Sequence, residues 1–185
     1  MSRVGKQPID IPQGVDIRIE EKTIYVKGPK GEISTPRHNE VTIRIDKDSN
    51  QLFCERSSDA KKERELHGLV RSLIANMVEG VTKQFQKKLE INGLGYTCQV
   101  TDNELTLQVG FSHPVNMKIP DGLDVTCPTN RNITIVGIDK QKVGQFAAEV
   151  RGVRPPEPYN TKGIKYDNEI VRRKAGKTFV SGGGG

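Results

Sequence analysis

Eight basic residues crowd the end of this chain: Arg151, Arg154, Lys162, Lys165, Arg172, Arg173, Lys174 and Lys177. Residues 151–185 carry a net charge of +5, and the rest of the chain only +1. Cations at this density neutralise phosphates and release their counterions. Arginine adds a planar fork that takes phosphate oxygens two at a time. The asymmetry points to a polyanionic partner, with a solvated basic tail kept for solubility as the alternative. Tyr159 and Tyr166 lie among these cations. Each could stack on an exposed base or pack against its own domain.

Catalytic chemistry has little to work with. The histidines are His38, His67 and His113, and none has a Cys or His partner at metal-ligand spacing. The sequence has no GxSxG, HExxH or GxxxxGK[ST] motif. "GPKGE" at 28–32 resembles a phosphate-cradling loop, but two glycines and a proline after a strand read as a hairpin turn. The Gly pair in "NGLGY" at 92–96 reads as a bulge or a close backbone approach. The acids are interleaved with lysines, and no pair stands out as general acid and base. Cys54, Cys98 and Cys127 are odd in number and lack CxxC spacing. They fit inert thiols in a reducing compartment, neither a disulfide framework nor a zinc site. No cofactor, no metal and no catalytic residue is expected.

The elements that hold the basic residues follow from hydrophobic period. The chain has 185 residues, 34% hydrophobic and 5% aromatic with no Trp, so its core is mainly aliphatic. No apolar run approaches the ~20 residues of a membrane span, and the first fifteen residues lack the apolar stretch of a signal peptide. A cytoplasmic protein, or one made inside an organelle, is expected. "IPQGVDI" at 11–17 matches "IPDGLDV" at 119–125, each followed by an alternating stretch, "TIYVKG" at 23–28 and "NITIVG" at 132–137. "DAKKERELHGLVR" at 59–71 matches "DKQKVGQFAAEVR" at 139–151. The first helical stripe is Leu66, Leu69, Val70, Leu73 and Met77; the second is Val143, Phe146, Ala147 and Val150. Ser58 or Asp59, and Asp139, are expected caps, with Gly80 and Gly152 as stops. Further strands are expected at 41–45, 52–56, 88–91, 96–101, 104–109 and 115–119, with a hairpin turn in "TDNEL" at 101–105.

The fold class is therefore α+β: two tandem similar domains, 1–82 and 83–153, each an antiparallel sheet packed against one helix. A basic extension over 154–185 completes the chain. Its "RPPEPY" opening is expected to form a stiff, extended strap. With no core of its own, it needs something else to order it. Such a segment on a rigid module suits a folded RNA better than free single strands, which call for more aromatics.

"PEPYNTKGIKY" followed by "VRRKAGK" resembles the C-terminal signature of the bacterial-type large-subunit ribosomal protein six family. "SRVGKQPIDIPQGV", "KGPKGE", "HGLVRSLIANMVEGV", "GLGYT", "GFSHPV" and "GIDKQKVGQFAAEVRGVRPPEPY" follow in that family's order, over roughly residues 2–177. The resemblance implies two similar α+β domains and a non-catalytic constituent of the large ribosomal subunit. It implies contact with 23S-type rRNA near the sarcin–ricin loop and translation-factor site, and neighbouring proteins near the stalk base. It implies neither membrane attachment nor homo-oligomerisation. Carried over by position, the rRNA-binding residues are Arg154, Tyr159, Lys162, Lys165, Arg172, Arg173, Lys174 and Lys177. Asn160 and Thr161 stand where the family usually has Lys and Gly, and Lys165 where Arg is frequent. The rival classes are an enzyme acting on RNA with the tail as a clamp, and a free-standing RNA-binding regulator.

Overall fold

The computed structural model describes residues 3–46 and 49–176. Alternating apolar residues form β1 (Ile9–Asp10), β2 (Asp16–Ile19), β3 (Thr23–Gly28), β4 (Gly31–Pro36), β5 (Val41–Asp46) and β6 (Gln51–Arg56), followed by α1 (Lys61–Lys83). Then come β7 (Phe85–Asn92), β8 (Thr97–Thr101), β9 (Glu104–Gln108), β10 (Val115–Lys118), β11 (Leu123–Thr129), β12 (Asn132–Gly137), α2 (Lys140–Val153) and β13 (Gly163–Tyr166). The chain divides into two compact units, Met1–Phe85 with Gly137–Gln141, and Gln86–Val136 with Lys142–Gly185. The α+β reading holds: each unit combines antiparallel pairs with helix.

The first unit holds two three-stranded sheets, ordered β2-β3-β4 and β1-β6-β5. The β3–β4 turn pairs Gly28 with Gly31 across Pro29 and Lys30, so "GPKGE" is a hairpin turn as expected. Ile24, Val26, Val41, Leu52, Ile74 and Val81 form the centre of its core. Of the predicted stripe, α1 buries Val70 and Met77 and packs Leu66 against the core, while Leu69 is 48% exposed. His67, Ile74, Val78 and Val81 complete the buried face. Neither expected cap bonds the first turn directly. Ala60 occupies the cap position; Ser58 Oγ accepts from its N–H at 3.2 Å, and Glu63 accepts from the Ser58 N–H at 2.6 Å. Gly80 is no stop either. The helix continues to Lys83, and Gly80 is small for a packing reason: a Cβ there would lie 2.0 Å from the Ile138 carbonyl oxygen.

The second unit holds β10-β9-β8 and a four-stranded sheet ordered β11-β12-β7-β13. The "TDNEL" turn joins β8 to β9 as expected, with Asp102 in the left-handed region (φ 54°). α2 buries the predicted Val143, Phe146, Ala147 and Val150. Asp139 caps it, its Oδ1 accepting the Gln141 N–H at 2.8 Å. Gly152 lies within the helix, which runs one residue further than the expected stop.

The order of elements corrects the register of the internal repeat. The α1–α2 match is sound, because each helix follows a hairpin: β5–β6 before α1, β11–β12 before α2. The "IPQGVDI"–"IPDGLDV" match is not, since it sets β2–β3 against β11–β12. The partners of β2-β3-β4 in chain order are β8-β9-β10. What the two heptapeptides share is a local turn. Val15 N–H donates to the Pro12 carbonyl and Leu123 N–H to the Pro120 carbonyl, with Gly14 at φ 85° and Gly122 at φ 87°. Glycine at the positive-φ corner satisfies the same turn geometry in two different sheets.

Candidate nucleic-acid interface

The basic segment starts where α2 ends, and the sheet gives it a frame. β13 pairs antiparallel with β7, Ile164 opposite Ile91 and Tyr166 opposite Leu89. Ile164 is fully buried. The segment expected to lack a core therefore shares one. The brief strand that "IKY" offers in the sequence forms as β13, but a single isoleucine is too small a signal for hydrophobic period to show that it is buried.

The loop between α2 and β13 is tied across its base. Ile164 N–H donates to the Arg154 carbonyl at 2.7 Å, Glu157 N–H to the Lys162 carbonyl at 3.0 Å and Thr161 N–H to the Glu157 carbonyl at 3.1 Å. Pro155, Pro156 and Pro158 lack the donor that would continue α2. Gly163, at φ 135°, lets the strand return under the loop. A Cβ there would meet the Pro155 and Arg154 carbonyl oxygens at 2.6 and 2.7 Å. Thr161 sits at φ 58°, a conformation that costs a β-branched residue heavily. Lys174 N–H donates to the Pro158 carbonyl at 2.8 Å, and the Arg173 guanidinium reaches Thr161 Oγ1 at 3.5 Å. These bonds lay residues 173–174 beside the 158–161 loop.

The predicted side chains separate into two groups. Arg154, Tyr159, Lys162, Arg172, Arg173 and Lys174 are exposed. Among the described residues, none of those five cations pairs with a carboxylate. The Arg154 guanidinium lies over the Phe111 ring of "GFSHPV", 5.4 Å from its centroid. Lys165 is engaged inside the sheet, its Nζ 2.9 Å from Glu90. Lys177 lies outside the described residues. Of the two tyrosines, Tyr159 is 55% exposed. Tyr166 packs on its own unit, with Lys87 and Arg151 each 5.8 Å from its ring centroid.

Two anchoring residues escaped sequence reasoning. Arg151, counted only as charge, donates to both carboxylate oxygens of Glu169, at 2.8 and 2.5 Å. Glu169 also accepts the Tyr166 N–H at 3.1 Å. These donors, the guanidinium first, hold the Glu169 carboxyl below its usual range. The spacing of 18 residues carries no periodic signal.

A cationic surface alone assigns no family, but the whole sequence does. The family model for ribosomal protein L6 matches residues 11–84 and again 92–167. The chain belongs to the ribosomal protein L6 family. The two L6 matches pair the elements as the corrected repeat register does, β2 to α1 with β8 to α2. The second match also takes in β13. The "large ribosomal subunit protein uL6" of Carboxydothermus hydrogenoformans is 49% identical over 182 residues, 98% of this chain and 99% of that protein. That of Maridesulfovibrio salexigens is 51% identical over 178 residues, covering 96% and 99%. That of Desulfitobacterium hafniense is 50% identical over 184 residues, covering 100% and 99%. The L6 chain is a structural ribosomal protein, not an enzyme. Among its described residues no helix is long and apolar enough to cross a membrane.

Proposed function

We propose that this protein is a structural constituent of the large ribosomal subunit that binds 23S-type rRNA through the loop and tail after α2. The contact lies near the sarcin–ricin loop and the translation-factor site, where it stabilises rRNA tertiary structure during translation. One observation carries the reading: Arg154, Lys162, Arg172, Arg173 and Lys174 are exposed, with no carboxylate partner among the described residues, on a segment already pinned to a sheet. A pinned segment presents its cations with less ordering entropy left to lose on binding. Arg154, Arg172 and Arg173 take phosphate oxygens in forks, Lys162, Lys174 and Lys177 as point charges. Tyr159 offers a face to an unpaired base. Lys165 contributes by fixing the strand through Glu90. Neighbouring large-subunit proteins near the stalk base complete the surroundings, in a cytoplasmic ribosome, without cofactor, membrane or a second copy of the chain.

Cosedimentation tests the assignment. The protein is expected to remain with large subunits through a moderate-salt wash and to protect sarcin–ricin-region rRNA from hydroxyl-radical cleavage. Release into the supernatant at moderate salt would overturn ribosomal residence. Protection confined to a distant rRNA domain would overturn the location.

A further inference from the structure

The cysteines, read from the sequence as unrelated, are not all apart. Cys98 on β8 is buried and Cys127 on β11 is half-buried, and both line the same cleft. They share one open cleft with Thr97, Gln99, Pro128 and Asn130. The backbone fixes this approach: Cys98 N–H donates to the Asn130 carbonyl at 2.8 Å. Cys98 Sγ also faces the Thr129 and Asn132 carbonyls at 3.7 and 3.9 Å. Cys54 lies in the other unit, buried, its thiol pushed up to about 11 by that burial.

Two sulfurs fall short of the four ligands that a structural zinc takes. Among the described residues no group of three or more His, Cys, Asp or Glu gathers to make up the set. A buried thiol beside a partly exposed one supports a different chemistry. We propose that Cys98 and Cys127 are a peroxide-oxidisable pair that closes to an intramolecular disulfide. Cys127 is the more exposed of the two and so the attacking thiolate, and the buried Cys98 is the resolving thiol. The neighbouring Cys98 thiol lowers Cys127 against the opposing effect of burial, while Cys127 and burial raise Cys98.

The step balances with hydrogen peroxide as oxidant. The Cys127 thiolate attacks one peroxide oxygen, the O–O bond breaks, and hydroxide leaves and takes up a proton as water. Cys127, oxidised by two electrons, is then a sulfenic acid. Cys98 sulfur attacks that sulfur, the S–O bond breaks, and the Cys98 proton departs with the hydroxyl as a second water. The product ties the β10-β9-β8 sheet to the β11-β12-β7-β13 sheet within the second unit.

Peptide mapping of the full chain tests this. The protein is treated with hydrogen peroxide at neutral pH, blocked with iodoacetamide under denaturing conditions and digested without reductant. One linked peptide pair containing residues 98 and 127 is expected, two hydrogens lighter than the free pair and lost on adding dithiothreitol, with Cys54 recovered alkylated. Cys127→Ser abolishes the link. Cys98→Ser leaves a dimedone-reactive sulfenic acid at position 127. Native iodoacetamide labelling of Cys127 is expected to run at least ~10-fold faster than that of Cys54. Recovery of all three cysteines alkylated, over-oxidation of Cys127 with Cys98 still free, or equal labelling rates for Cys127 and Cys54 would each overturn the pairing. The mapping and labelling arms use the unaltered protein, so a misfolded variant does not blunt them.

Discussion

Arg151 and Glu169 form a two-pronged ion pair that locks the residues after β13 to the last turn of α2. Both side chains are mostly shielded, 31% and 23% exposed. The pair thus closes the frame on which the exposed cations stand. Glu169 is held below its ordinary 4.5 first by the guanidinium bond. A depressed carboxylate contributes stability above its unfolded pKa and loses it as pH falls through the folded one. Glu169→Gln should therefore lower unfolding stability at pH 7 by about 1 kcal/mol, the discounted value of a partly exposed pair. The gap from wild type should close in acid. Urea titrations at pH 7 and pH 3 measure both; a gap that widens in acid would contradict the assignment.

The tail cannot be cut at its first proline without damage. Ending the chain after Ile170 keeps β13 and its buried Ile164, whereas ending it after Val153 removes both. The shorter cut should leave circular dichroism and Tm nearly unchanged while strongly weakening large-subunit incorporation. Ile164→Ala should cost about 3 kcal/mol in denaturant unfolding, within the range for deleting a buried Ile side chain. An Ile164→Ala midpoint equal to wild type would put that side chain outside the core.

Salt dependence separates free from engaged cations. Arg172→Ala should lower the slope of log affinity against log salt by about 0.9, one B-DNA-like phosphate contact or slightly less for other nucleic-acid forms. Lys165→Ala should leave that slope nearly unchanged, because Glu90 already matches the Lys165 charge. Binding of the variants to large-subunit rRNA over a series of salt concentrations gives both slopes. Equal effects of the two substitutions would reassign Lys165.

Thr161 holds a left-handed backbone conformation that favours glycine. At φ 58° its branched Cβ is disfavoured. Among the described residues of the tail, Arg173 is the one that contacts its hydroxyl, at a long 3.5 Å. Thr161→Gly should stabilise the protein by about 1 kcal/mol as that strain is released, less what glycine's added freedom in the unfolded chain removes. Thermal unfolding reads the change; a clear loss of stability would mean that the threonine side chain secures the loop.

Much of this architecture is written in short-range pattern. The alternating strands 41–46 and 51–56, the α2 stripe and the "TDNEL" turn depend on neighbours two to four residues apart, which a single sequence displays. The β4 strand "GEISTP" escaped because Gly31, Ser34 and Pro36 are turn formers held extended by pairing with β3. The repeat register failed because two identical turns outscored the less similar strands that follow them. The cationic surface was legible as charge. Its division was not, since Lys165–Glu90 spans 75 residues and depends on which strands become neighbours.

β13 has one more consequence, for the protein before any RNA is bound. Without it, the outer side of β7 would expose a row of unpaired amides and carbonyls along an eight-residue strand, a template for another chain's strand. β13 covers Leu89–Asn92 of that row, and along this stretch the edge passes to a four-residue strand preceded by a proline-rich loop and followed by a turn. The same segment that carries the positive charge thereby discourages newly made copies from adding to one another edge to edge.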